Sequence, residues 1–67
     1  MFRKEKFEIG KLYKSEVTPS IPLTRLMAKN DEGAVFQHVT DNDKVTVLTW
    51  RQVKDYKMWE VPTLENK

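Results

Sequence analysis

The 67-residue sequence contains no cysteine, which excludes disulfide scaffolds, thiolate zinc sites and thiol catalysis at once. A cysteine-free chain suits a reducing compartment. The opening residues Met1-Phe2-Arg3-Lys4-Glu5-Lys6 also lack the apolar core of a secretory signal, so a cytoplasmic location is expected. No apolar run approaches the roughly 20 residues of a membrane span, and no membrane contact is expected. Gly10 and Gly33 are the only glycines, which leaves no glycine-rich phosphate loop and no nucleophile elbow. His38 is the only histidine, so a His-pair metal site is ruled out and nucleophilic catalysis lacks a visible base. Asp41-Asn42-Asp43 begins like a calcium loop. However, Val45 stands at the next ligand position and no glycine or terminal glutamate follows at the required spacing, so a polar hairpin turn is the better reading. The chain is expected to be non-enzymatic, with no metal and no cofactor.

What remains is a single small domain over residues 1–67, rich in charge and supplied with aromatics. A chain this short buries only about 60% of its unfolded surface. Two Trp, two Tyr and three Phe must therefore carry much of its core. The formal net charge is only +2, but it is unevenly placed. Arg3, Lys4, Lys6, Lys11 and Lys14 stand against Glu5 and Glu8, so residues 1–14 carry +3 and the rest −1. The basic character belongs to the N-terminal segment, either as a solvated strand edge or as a modest positive patch.

Period and turn chemistry give the elements. Phe7-Glu8-Ile9 alternates, Gly10 permits a bend, and Leu12-Tyr13 continues the pattern, which predicts a first strand kinked at Gly10. Pro19 and Pro22 hold the next segment in an extended loop. Residues 23–29 fit strand or helix by spacing, and their context favours strand. Asn30-Asp31-Glu32-Gly33 predicts a turn with Gly33 at positive φ, leading into the β-rich residues 34–40. After a second turn at residues 41–43, Val45-Thr46-Val47-Leu48-Thr49 reads as strand. Thr49-Trp50-Arg51-Gln52 then matches a capping box, with Leu48 and Val53 placed as a hydrophobic staple. One helical turn and a short last strand before Pro62 complete the reading; Glu65-Asn66-Lys67 is expected to fray.

A long first loop over residues 15–22, a three-strand meander and one helical turn (residues 50–56) before the last strand resemble an SH3-like small β-barrel. The resemblance is architectural and covers residues 7–61. It implies an all-β, five-stranded small barrel, and no proline-rich ligand, because the acidic loop and paired Trp of peptide-binding SH3 domains are not matched. In style the chain also resembles phage or mobile-element accessory proteins, small cysteine-free barrels that bind host machinery.

Function rests on the aromatics and the cations. Trp50, Tyr56 and Trp59 cluster around the helical turn; either they complete the core, or one or two of them, with Tyr13 and Phe36, form a partner-binding patch. Residues 34–40 and 44–50 carry large apolar groups on both strand faces. A small barrel has one inside, so the surplus must be covered by the termini, by the long loop carrying Ile21 or by a second molecule; a protein partner, a second copy or another protein, is predicted, with strand addition at an open edge as one route. The alternative is a nucleic-acid-binding barrel. In it Arg3, Lys4, Lys6, Lys11, Lys14, Arg25 and Arg51 touch phosphates while Phe36 or Trp59 stacks on bases.

Overall fold

A computed structural model describes residues 3–62. The expected fraying at residues 65–67 lies outside them. Five antiparallel strands form one sheet: β1 (Leu12–Ser15), β2 (Thr24–Lys29), β3 (Gly33–His38), β4 (Val45–Thr49) and β5 (Met58–Glu60). One short helix, α1 (Trp50–Asp55), joins the last two. The strand order is β4-β3-β2-β1-β5, so the chain runs from one end of the sheet to the other through α1. No ladder joins β4 to β5, and the sheet is open. α1 touches β3, β4 and β5 and places Val53 in the core.

The N-terminal segment departs from the expected strand. Lys4–Lys6 form a 3-10 turn, and Phe7-Glu8-Ile9 pairs with no strand. The reason is Gly10, whose φ of 97° fits the third position of a type II turn, closed by the Lys11 N–H donating to Glu8 O at 3.2 Å. The chain therefore reverses at Gly10 instead of bending through it. Phe7 drops into the core, stacked on Tyr13 with 4.8 Å between ring centroids, while Lys29 Nζ donates to Phe7 O.

Ser15 is buried at the end of β1 and starts the long loop. Its hydroxyl donates to Tyr56 O (2.7 Å) and accepts from the Val17 and Thr18 N–H groups (3.2 and 3.1 Å). One side chain thus turns the loop and ties it to the end of α1. The loop returns Ile21 to the core before β2 begins. Thr24, also buried, donates to Tyr13 O at 2.9 Å, and no buried side-chain polar atom among the described residues lacks a partner.

At the β2–β3 turn the expected reversal occurs with different geometry. Asn30 Oδ1 accepts from Glu32 and Gly33 N–H (2.8 and 3.0 Å), which makes the turn without a positive φ at Gly33. Glycine is needed there for space: a Cβ on Gly33 would overlap the Leu48 carbonyl oxygen.

The capping box forms as its pattern requires. Thr49 Oγ1 accepts from Gln52 N–H (3.1 Å) and Gln52 Oε1 accepts from Thr49 N–H (2.9 Å). Leu48 and Val53, the staple pair, both sit in the core. α1 ends at Tyr56, and Lys57 follows in the left-handed region with φ 52°. A glycine is favoured at this position because a Cβ costs about 1–2 kcal/mol there. Lys57→Gly is therefore expected to raise the urea-unfolding free energy by about 1 kcal/mol, and a loss of stability would show that the Lys57 side chain contributes more than its backbone costs.

Candidate interaction surface

Alternation along β3 decides which apolar face is inside. Ala34 and Phe36 are buried, while Val35 and Gln37 lie on the opposite face, so both faces are apolar as expected but only one belongs to the core. The inner set is continued by Leu26 opposite Phe36 and by Leu48 opposite Ala34.

Two of the proposed partner-binding residues lie in that core. Tyr13 is 1% exposed and Phe36 is fully buried. Their rings meet edge to face at 5.9 Å, and the Tyr13 hydroxyl accepts from Glu8 N–H at 2.9 Å. Neither can reach a partner or a base without opening the core. Trp50 and Tyr56 are partly buried against that same core, and Trp50 Nε1 donates to Asn30 O at 2.7 Å. Trp59 alone of the five is an exposed large aromatic, at 44%.

Trp59 lies on the outer face of β5, directly opposite Lys14 on β1. Leu12, two residues before Lys14, stands opposite Arg25 on β2, so an outer surface of Trp59, Lys14, Leu12 and Arg25 spans three strands. Arg25 is positioned by donating to Gly10 O at 3.2 Å. At the far end of the sheet the outer face turns apolar: Val35 faces Val47, Gln37 faces Val45, and Val45 and Val47 are 53% and 67% exposed.

The seven cations proposed for phosphate contact do not share one surface. Arg3, Lys4 and Lys6 belong to the N-terminal 3-10 turn and its cap, not to a strand; Lys11 and Lys14 lie in or beside β1, Arg25 on β2 and Arg51 on α1. Three face carboxylates: Lys4 with Asp31 (3.3 Å), Arg51 with Asp55 (3.8 Å), and Lys11 between Glu60 (3.3 Å) and Glu8 (3.5 Å). Sequence reasoning could not see Lys11 held in this way, because Glu60 arrives only through the pairing of β5 with β1.

Among the described residues, Lys11 and Tyr13 are held away from their ordinary values. The hydrogen bond that Lys11 donates to Glu60, then the Glu60 and Glu8 charges, hold the Lys11 ammonium above its usual 10.5, and burial pushes the Tyr13 phenol above 10.0. Both retain their protons in the folded chain at pH values where the unfolded chain has lost them. Their contribution to stability is therefore complete below about pH 10 and is lost as pH rises through the folded values. The urea midpoint is expected to fall above about pH 10, with a shallower fall for Tyr13→Phe; an alkaline plateau in the wild type would contradict both shifts.

His38 shares a 2.8 Å hydrogen bond with Thr46, and Asp41 turns its own loop by accepting from Asp43 N–H and Lys44 N–H. Among the described residues no cluster of three His, Asp or Glu could hold a metal, and no helix is long and apolar enough to cross a membrane. No family model, curated protein or solved structure matches this chain.

Proposed function

We propose that this chain is a non-enzymatic protein-interaction module, an SH3-like small barrel whose outer surface at Trp59, Lys14 and Arg25 docks on a larger protein. The barrel reading is supported by the residue 16–23 loop, the β2-β3-β4 meander and the helical turn that carries the chain back to β1. The interaction reading rests on Trp59: a tryptophan exposed on a sheet face, flanked by cations in register, is the composition of a binding hot spot. Lys14 and Arg25 suit an acidic segment on the partner.

Affinity purification from cell extract with nuclease present, at low and high salt, tests this directly. One dominant protein is expected to survive both treatments and to fall at least about tenfold with Trp59→Ala, a hot-spot loss of 1.4 kcal/mol or more. Captured protein that is indifferent to Trp59→Ala would refute the assignment. The same grouping of Trp59 with Lys14 and Arg25 favours one second reading, base stacking with phosphate contact on single-stranded nucleic acid. Binding of that kind weakens steeply between about 50 and 200 mM salt, and a flat oligonucleotide titration removes it.

A further inference from the structure

The second surface lies at the other end of the sheet. Trp50 N–H donates to Glu32 O (3.2 Å) and His38 N–H donates to Lys44 O (3.0 Å). These two bonds fix the phase of the β3–β4 ladder. In an antiparallel pair, positions alternate between those that turn their backbone groups to the partner strand and those that turn them away. Lys44, Thr46, Leu48 and Trp50 face β3, so Val45, Val47 and Thr49 direct their N–H and C=O groups to the open side. The Thr49 N–H is already taken by Gln52 Oε1. No described residue bonds to the outward groups of Val45 and Val47.

Open edges are ordinarily blunted by charge, proline or brevity. β5 shows all three: it is three residues long, ends in Glu60 and is flanked by Lys57 and Pro62. β4 has no charge or proline within its five residues, only Lys44 directly before it, and its outward side chains are Val45, Val47 and Thr49, with both valines exposed. Such an edge is open to the addition of another strand.

We propose that β4 pairs antiparallel with β4 of a second copy of this chain about a two-fold axis at Thr46, with Val45 of each copy opposite Val47 of the other. Three features select a second copy. First, Val45 and Val47 are equivalent in what they leave open, so each satisfies the other across the axis and no group is left over. The neighbouring register, Val47 against Val47, would set Val45 against Thr49, whose N–H is occupied. Second, the valines then meet as cross-strand pairs and extend the apolar strip that Val35 begins. Third, the ends of β4 carry opposite net charge: Asp41, Asp43 and Lys44 before it sum to −1, and Arg51, Lys54 and Asp55 after it sum to +1. Two-fold antiparallel pairing brings the acidic end of each copy to the basic end of the other.

Sedimentation velocity and amide exchange from about 10 μM to about 1 mM test the pairing. The mass is expected to double across that range, and protection of the Val45 and Val47 amides is expected to rise with it. Val47→Lys is expected to remain monomeric and folded. Because the chain has no cysteine, single substitutions report the register: Thr46→Cys should form an intermolecular disulfide on mild oxidation, while Asp43→Cys, far from its own symmetry mate, should not. A monomer at every concentration with fast-exchanging Val45 and Val47 amides would overturn the proposal. So would equal crosslinking of the two cysteine variants, or protection of those amides only on adding a different protein. Trp59 lies on the opposite end strand, so failure here leaves the Trp59 surface standing, and failure of Trp59→Ala to affect capture leaves this dimer standing.

Discussion

Phe36→Ala is expected to leave most of the chain unfolded at room temperature. Phe36 lies on a central strand, fully buried, opposite Leu26 on β2 and Thr46 on β4. Its ring begins a line of aromatics that crosses the core, from Phe36 to Tyr13 (5.9 Å), Tyr13 to Phe7 (4.8 Å) and Phe7 to Trp50 (5.7 Å). That line connects the sheet to the N-terminal turn and to the start of α1, so the space left by Phe36 cannot close without moving all three. Truncating a buried Phe costs about 3–5 kcal/mol. A domain of this size rarely has more than about 3–5 kcal/mol in total. The near-ultraviolet signal of Trp50 should collapse and the melting transition should broaden or vanish. Val47→Ala, on the exposed face, should stay within about 0.5 kcal/mol of wild type. A cooperative melt for Phe36→Ala only a few degrees below wild type would mean that the inner and outer faces of β3 have been exchanged.

That exchange is the point on which the sequence was silent. Phe36 on one face of β3 and Val35 with Val39 on the other satisfy alternation equally well, and nothing local says which set is inside. The decision is made by partners distant in sequence, Leu26 through the β2 pairing and Leu48 through β4. Hence Tyr13 and Phe36 could be read as surface residues from the sequence and prove to be core. The capping box was legible because Thr49 and Gln52 satisfy each other within one turn and need no tertiary information. The short last strand was legible for a related reason, since Tyr56 and Lys57 end the helix locally. The first strand was legible at Leu12-Tyr13 but not before Gly10, because Gly10 permits both a kink and a full reversal, and the core demand for Phe7 selects the reversal. On the surface, Trp59 was identified by residue type, but its pairing with Lys14 depends on β5 joining β1. The open groups of Val45 and Val47 depend on the phase of the β3–β4 ladder, which composition does not encode.

Gly33→Ala is expected to be more damaging than Gly10→Ala, although Gly10 alone has a positive φ. At Gly10 an added Cβ meets no atom within 4 Å, so the cost is conformational, about 1–2 kcal/mol. At Gly33 the backbone is in an ordinary region, but the Cβ would overlap Leu48 O, with Thr49 Cα at 2.9 Å and Leu48 C at 3.0 Å. These are backbone atoms, and they are held from both sides. Leu48 is buried in the core, Thr49 is fixed by the capping box, and Trp50 N–H is bonded to Glu32 O just before Gly33. Overpacking against a neighbour that can yield costs about 1–3 kcal/mol, and here the neighbour cannot yield without loosening the cap, so about 3 kcal/mol is expected. The loss should be spatially selective. Amide exchange should accelerate first at Trp50 and Gln52, where separation of β3 from β4 breaks the Glu32 bond and the cap together, and last at Tyr13 and Thr24, which lie outside the β3–β4 ladder. Equal destabilisation by the two alanines, or a larger effect at Gly10, would mean that β4 does not approach Gly33 this closely.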